Sequence, residues 1–529
     1  VMTDKHTGRT DSPSGFFLYN AEPDDVFLPN HPPLRPLLDM LTGGIINQKW
    51  EAWSYVGFST VVIFLVLIFL AVKEIFARKK AGLFHDFFKS RLLNISFIAS
   101  FIVLLFAMGF PFKQFPGLLD HLPFVEQFRA TGRFTWPFYF AATVFAATVM
   151  QTFWSGSVNR VRKTLALTLC IGVGIFNIAE GIAYHAETSA AIVKSGNFFR
   201  KEYLPVPCRE AVSSIDPGKY QAILALPFYY QGSESYARPR NEETVRASIL
   251  VSYHTGLPLV CANLTRTSVQ ESKNIVQIVS PGFYKKTIRD DLPSDKPFLV
   301  IRTRDAITNY EKEIFDKCKP VFEGDEISVF AISSDDLFYN ASRDVFDRYR
   351  QHESSLYPKE QFVTSDTSSF LYFNGFEELT SDQVFRGKGG FQSVKKGKNT
   401  LAEFPAGSFA TGKKYHVSIW MYNGMENALN MWFRFIIEEY DASRDTWITT
   451  TTFPIQSETI NGDWSLIEST FGVKNPQSRI SVVTKGKDDA KEAFYADDLL
   501  IREDGVNVFR MNASEDTLFY NNHEIIDRK

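Results

Sequence analysis

The segment Phe128-Arg129-Ala130-Thr131-Gly132-Arg133-Phe134-Thr135-Trp136-Pro137-Phe138-Tyr139 sets two arginines on either side of a glycine turn. Planar guanidinium groups grip phosphate oxygens bidentately, so Arg129 and Arg133 are a candidate phosphate pair. The same side chains can instead snorkel at a membrane surface or pair with Glu126 and Asp120. A second group of residues suits sugars. Met431, Phe433 and Phe435 alternate with Trp432 and Arg434, and His416 and Trp420 share one face of the run Tyr415–Tyr422. An exposed Trp, Arg and His set offers a sugar both stacking and hydrogen bonds. The alternative is that a second sheet or a neighbouring domain covers these residues. No Ser/His/Asp set in a recognisable context, no P-loop and no HExxH motif is present. A glycoside hydrolase needs two carboxylates across a cleft, and the sequence does not locate such a pair.

The elements that must position these residues divide sharply by polarity. The chain has 529 residues and a formal net charge of -3, which gives no basic face for nucleic acid. Four apolar stretches, roughly 52–72, 92–111, 134–158 and 164–184, approach or exceed the ~20 residues that cross a bilayer. The core Val61-Val62-Ile63-Phe64-Leu65-Val66-Leu67-Ile68-Phe69-Leu70 is apolar on every face, unlike an amphipathic soluble helix. The first connection carries Lys73, Arg78, Lys79, Lys80, Lys89 and Arg91, and the third carries Arg160, Arg162 and Lys163. Short loops rich in Lys and Arg stay cytoplasmic, so residues 1–51 and everything after about 185 are expected on the external, periplasmic side of a bacterial inner membrane. Trp50, Trp53 and Tyr55, and then Trp136 and Tyr139, fall at the external interface as an aromatic belt. The chain opens on Val1 with no signal-peptide pattern. It is expected to be the C-terminal part of something longer.

Beyond the spans, residues 186–335 alternate apolar strands with helical stretches and read as a small external α/β domain. The loop Tyr229–Arg240 follows its first strand, and is either a plain surface loop or a contact for an acceptor. A helical linker, 336–364, leads to seven or more short alternating strands over 365–510, which predict a β-sandwich. Residues 511–529 are left as a tail. The fold class is therefore multidomain: a four-span helical bundle, a small α/β domain, then an all-β sandwich. Of the four cysteines, Cys170 lies in an apolar helix, while Cys208, Cys261 and Cys318 lie in the soluble part. Cys208 and Cys261 could pair in an oxidising compartment, or all three could be buried thiols.

The order D-D-V-F-L-P-N-H-P, W-E-A-W-S-Y-V-G, a span, a basic loop, a span, then F-R-A-T-G-R-F-T-W-P-F-Y resembles the C-terminal membrane half of bacterial multi-pass glycosyltransferase-like proteins of the C type. The resemblance covers roughly residues 20–335. It implies a polyprenyl-phosphate-linked sugar donor used on the external face, with a glycan or cell-envelope acceptor. Those proteins place a catalytic acid in the first external loop, a region this chain does not contain, so that role is not carried to Asp24 or Asp25. By resemblance, Asp25, Glu51, Arg129 and Arg133 line the external cavity, with the two arginines on the lipid phosphate. Further on, N-G-F-E, Y-H-V-S-I-W, G-D-W-S-L-I-E-S-T-F and F-Y-A-D-D-L-L-I-R-E resemble a jelly-roll carbohydrate-binding module over most of 368–505. Such modules often hold a structural calcium near the first and last of these segments. Asn374, Glu377, Asp497 and Asp498 are the oxygen donors that implies. Two functions compete. One is a membrane glycosyltransferase, here as its C-terminal fragment, and the other is a non-catalytic, membrane-anchored glycan-binding protein.

Overall fold

The computed structural model describes residues 8–9, 15–76, 90–156, 159–232, 235–264, 267–393, 397–424, 433–486 and 493–527. The chain is multidomain, helical in its N-terminal part and rich in β-sheet in its C-terminal part. Residues 11–196 and residues 197–529 form two compact units.

In the first unit, helices Phe58–Phe76, Arg91–Ala107, Trp136–Ser155 and Arg160–Lys194 occupy the four apolar stretches. Ser90 caps the second and Asn159 the fourth, each accepting a backbone N–H of the first turn. Helix Arg160–Lys194 has the length and apolar composition to cross a membrane, whereas Arg91–Ala107 is apolar but only 17 residues long. The sequence expectation was four crossings; among the described residues one helix meets the test of length and composition. What packs inside the unit is modest: Val26, Val56, Leu104, Phe138 and Ala142 form its central cluster.

The second unit opens with a four-stranded sheet in the spatial order Ala222–Leu226, Phe298–Thr303, Ile327–Ile332, Lys319–Phe322. The first pair is parallel and the other two are antiparallel. Ala222–Leu226 is buried along its whole length, as a continuous apolar run between two layers should be. Leu224 and Val300 enter one core; Ile223, Leu299, Ile301 and Val329 enter the core on the other side. Helix Glu242–Thr255 is set by an Asn241 cap and by Gly256 in the left-handed region, at φ 71°. Ser268 with Glu271, and Thr308 with Glu311, form capping boxes that start two more helices.

The β-sandwich consists of two antiparallel sheets. One runs Leu371–Asn374, Tyr495–Glu503, Lys414–Tyr422, Trp464–Gly472, Thr459–Asn461, and the other Lys398–Phe404, Arg479–Lys485, Arg434–Asp441, Thr446–Thr452. Period-two alternation sends Val417, Ile419, Phe435, Ile437, Ile467, Val482 and Ile501 between the sheets. Residues 511–529 do not form a loose tail. Thr517–Tyr520 and His523–Ile526 make a hairpin in a further five-stranded sheet with Val508–Met511, Phe362–Thr364 and Tyr357–Lys359. The loop after the first α/β strand is not a surface loop either. Tyr229, Tyr230 and Tyr236 are fully buried, with their hydroxyls bonded to Ser248, Ser272 and Ser465. All four cysteines are free thiols. Cys208 and Cys261 belong to cores on opposite faces of the α/β sheet, which keeps them from pairing.

One polar group sits deep in this unit. Lys286 is buried, and its ammonium donates to the carbonyls of Ile278 at 2.8 Å and Leu337 at 3.2 Å. Burial, reinforced by Lys317, pushes its pKa down to about 7. The unfolded chain holds that proton to about pH 10. Between pH 7 and 10 the unfolded state therefore binds more protons, and stability rises with pH. We expect thermal melting of the soluble unit to move upward from pH 7 to pH 9. Lys286→Met should flatten that slope, and an unchanged slope would place the titration elsewhere.

Candidate functional site

The strand Lys414–Tyr422 is the centre of its sheet, paired with Trp464–Gly472 on one side and Tyr495–Glu503 on the other. Its odd-numbered residues fill the sandwich. His416, Ser418, Trp420 and Tyr422 therefore face outward, which is where a sugar platform was expected. The two halves of that outer face differ. At Trp420 it is closed. The indole is completely buried, its N–H donates to the Asn522 carbonyl at 2.8 Å, and its ring stacks on Phe385 at 4.3 Å. Tyr284 packs edge-on from the α/β domain, 6.4 Å between centroids. The sequence left open whether a neighbouring domain covers Trp420; it does, and so does the C-terminal hairpin.

At the other end the same face is open. Glu468, opposite Ser418, and Thr470, opposite His416, are exposed, and Arg502 is half-buried beside them. His416 is bonded through Nε2 to Asp504 at 2.6 Å. Tyr310, from the first turn of an α/β-domain helix, and His523, from the C-terminal hairpin, stand over Glu468. The Tyr310 hydroxyl donates to Glu468 Oε2 at 3.1 Å and lies 3.1 Å from His523 Nε2; His523 Nδ1 lies 3.3 Å from the Tyr284 hydroxyl. A single assignment of protons satisfies the chain. Tyr284 donates to Nδ1, Nε2–H donates to Tyr310, and Tyr310 donates to Glu468. Burial holds His523 neutral, its pKa pushed down to about 3. The groups packed around Glu468 raise its pKa by desolvation, against the Tyr310 hydrogen bond and the Arg502 charge, while the residue itself reaches solvent.

Arg434 does not reach this face. It lies on the other sheet, its guanidinium 4.2 Å from the Phe453 ring centroid. Trp432 lies outside the described residues.

The residues expected to hold calcium each have protein donors. Asn374 Oδ1 accepts the Phe376 N–H at 2.8 Å, and Glu377 Oε2 accepts those of Lys388 and Gly389. Gly387, at φ 75°, is required there, because a Cβ would come within 1.8 Å of Glu377 Oε1. Asp497 Oδ2 accepts the N–H groups of Phe385 and Arg386, and its pKa is pushed up to about 7 by burial and by Asp498. Asp498 pairs with Arg386 at 3.2 Å, and Arg386 also reaches Glu524 at 3.2 Å. A guanidinium thus supplies the positive charge at this corner. Among the described residues no three acidic, His or Cys side chains are arranged to hold a metal ion.

The outer-loop set of the helical unit is partly brought together. Asp25 is buried; its oxygens accept the N–H groups of Lys49 and Glu22, both at 2.7 Å, while burial raises its pKa. Glu51 grips Arg133 through two bonds of 2.6 and 3.0 Å. The sequence offered, beside phosphate, snorkelling or pairing of Arg129 and Arg133 with Glu126 and Asp120; Arg133 pairs with Glu51, whose carboxylate occupies the fork that a phosphate would need. Arg129 is half-buried.

Residues 4–179 match a family described as a domain of unknown function, DUF6311. A search of curated proteins finds no match. Among solved structures the chain is similar to the CBM22-1 xylan-binding domain of Paenibacillus barcinonensis Xyn10C, with 14% identity over 26% of this chain and 97% of that one, at a TM-score of 0.19. It is also similar to the C-terminal family 22 carbohydrate-binding module of Clostridium thermocellum Xyn10B, with 13% identity over 28% and 88%, at a TM-score of 0.17. The sandwich described above rests on its own strand pairing.

Two outcomes test this geometry. Arg386→Met strands the buried Asp498 carboxylate and should cost about 3–5 kcal/mol in chemical denaturation. Adding Asp498→Asn should restore part of that loss, and no restoration would mean that the pair is not coupled. Tyr310→Phe removes a hydrogen bond that favours the Glu468 carboxylate, so the Glu468 pKa should rise further when read by carboxyl NMR. A fall would refute the proton assignment.

Proposed function

We propose that this chain is a membrane-associated glycan-binding protein whose soluble unit recognises sugar in the open half of the sandwich's outer face. The observation that carries this reading is the row His416, Thr470, Glu468 and Arg502, exposed or half-buried on a rigid sheet and walled by Tyr310. A carboxylate, a guanidinium, an imidazole and a hydroxyl supply donors and acceptors for a sugar's hydroxyls, and the Tyr310 ring supplies an apolar side. Anchoring by four spans fits the helices, which turn Leu65, Phe69, Ile98, Ile102, Phe140 and Ile175 outward where water would disfavour them. The basic loops then place the soluble unit on the external side.

A second reading is sugar transfer from a polyprenyl-phosphate donor. It is favoured by one placement: Asp25, Glu51 and Arg133, distant in sequence, meet where the segment 20–57 joins the segment 128–135. It would require a phosphate to displace Glu51 from Arg133, so binding is the preferred reading.

The test is a glycan array probed with the full chain in nanodiscs. Binding of a defined glycan is expected, and Glu468→Ala should weaken it about tenfold, as loss of a charged hydrogen bond does. A blank array would overturn the binding reading. Release of free lipid phosphate from a sugar-loaded polyprenyl phosphate would favour transfer instead.

A further inference from the structure

The helical unit contains a cavity of about 760 Å³ between helices Phe58–Phe76, Trp136–Ser155 and Arg160–Lys194, well within the size of ligand sites. Glu180 projects into it from the longest helix and is 6% exposed. One of its oxygens lies 3.4 Å from the Phe58 N–H; the other, Oε1, is buried with no hydrogen-bond partner. The Tyr55 phenol lies beside the carboxylate, its hydroxyl without a well-formed hydrogen bond. His31 and Tyr184 close this end, their rings 4.7 Å apart. His31 does not neutralise Glu180, since burial lowers its pKa. No Lys or Arg is among the lining residues described.

A buried carboxylate without a cation is costly, and an ionisable group among membrane helices marks a ligand or ion pathway. The complement must therefore bring positive charge and N–H donors. Phosphate is disfavoured, because the Glu180 carboxylate would repel it and only the imidazoles of His31 and His185 line the cavity to receive it. A neutral sugar would leave the charge unbalanced. A metal ion would need more carboxylates than one. The tyrosine rings around Glu180 add faces that attract cations. Seven residues toward the helix start, roughly 10 Å away, Val173 joins Ile63, Ala146 and Met150 in an apolar part of the lining.

We propose that this cavity binds an amine-bearing amphiphile: its primary ammonium donates to Glu180 and its hydrocarbon chain lies along Ile63, Met150 and Val173. The proposal is independent of glycan binding by the soluble unit.

The experiment uses the full chain in phosphatidylcholine nanodiscs, with native mass spectrometry counting bound octylamine, octanol or octyl glucoside. One saturable octylamine per chain is expected, with octanol and octyl glucoside at least about tenfold weaker. Glu180→Gln should remove that preference, and Glu180→Asp should keep part of it. Should the Glu180 variants melt below wild type, Val173→Trp provides a second arm. It fills the apolar end, leaves the carboxylate intact and should weaken octylamine binding. Octylamine binding that survives both Glu180→Gln and Val173→Trp, a preference for octyl glucoside, or no saturable binding of any probe would overturn the proposal.

Discussion

The closure over Trp420 is the contact on which the soluble unit depends. An indole on the outer face of a sheet would ordinarily be half-wet. Here three separate parts of the chain converge on it: Tyr284 from the α/β domain, Phe385 from the sandwich's own loop, and Asn522 from the C-terminal hairpin. Burying a group of this size is worth several times the thermal energy, and its one polar atom is satisfied by a backbone carbonyl. That anchor joins the α/β layer, the sandwich and the hairpin at one point. It also decides which part of the outer face remains for ligand.

Polar groups also cross the seam, which has a cost that geometry must offset. Arg238 and Glu458 pair across it, both nearly buried, and Arg386 lies between Asp498 and Glu524. Glu458 is pushed up to about 7, chiefly by burial. Buried ion pairs contribute little net stability compared with apolar packing, yet breaking one is severe. Their effect here is to fix register. A sliding of the α/β domain would leave Arg238 and Glu458 as unpaired charges, which disfavours other docking arrangements. The tyrosine–histidine chain ending on Glu468 follows the same logic, because each of its members has a partner only in this arrangement.

How much of this was legible in the sequence varies with the range of the interaction. Period-two alternation identified the sandwich and placed Phe433 and Phe435 inside it, because inward and outward residues are set by the strand itself. The same alternation correctly put His416 and Trp420 on one face. It was silent on what lies across that face, since the covering residues lie from 35 to more than a hundred positions away in the chain. Tyr236 and the 511–529 segment were misread for the same reason: their polar, turn-rich composition looks solvated, but their hydroxyls and amides are bonded internally. Arg133 was assigned acids close in sequence, while its partner Glu51 is 82 positions away. The N-G-F-E and D-D segments do approach each other, but Arg386, unremarkable in sequence, takes the charge there.

The two units differ in what must surround them. In the soluble unit, exposed large apolar side chains are scattered and the cores are closed. In the helical unit the four helices carry outward-facing Leu, Ile, Val and Phe along most of their length. Their interior is a thin seam of Phe64, Phe97, Phe138 and Phe145 rings. Under the membrane anchoring proposed above, hydrocarbon around such helices would remove the penalty of exposure and, with it, most of the hydrophobic drive to pack them. Close ring contacts and a few polar joints then carry the packing. In that setting polar groups stand out. Thr143, Thr148, Thr152, Thr164 and Thr168 each turn back onto a carbonyl of their own helix, which satisfies them at no cost to the packing. Glu180 has no such recourse: a carboxylate cannot donate, and its helix offers no free N–H at that position. One of its oxygens is reached instead by the Phe58 N–H of a neighbouring helix, so it relies on the packing of the bundle rather than on its own helix.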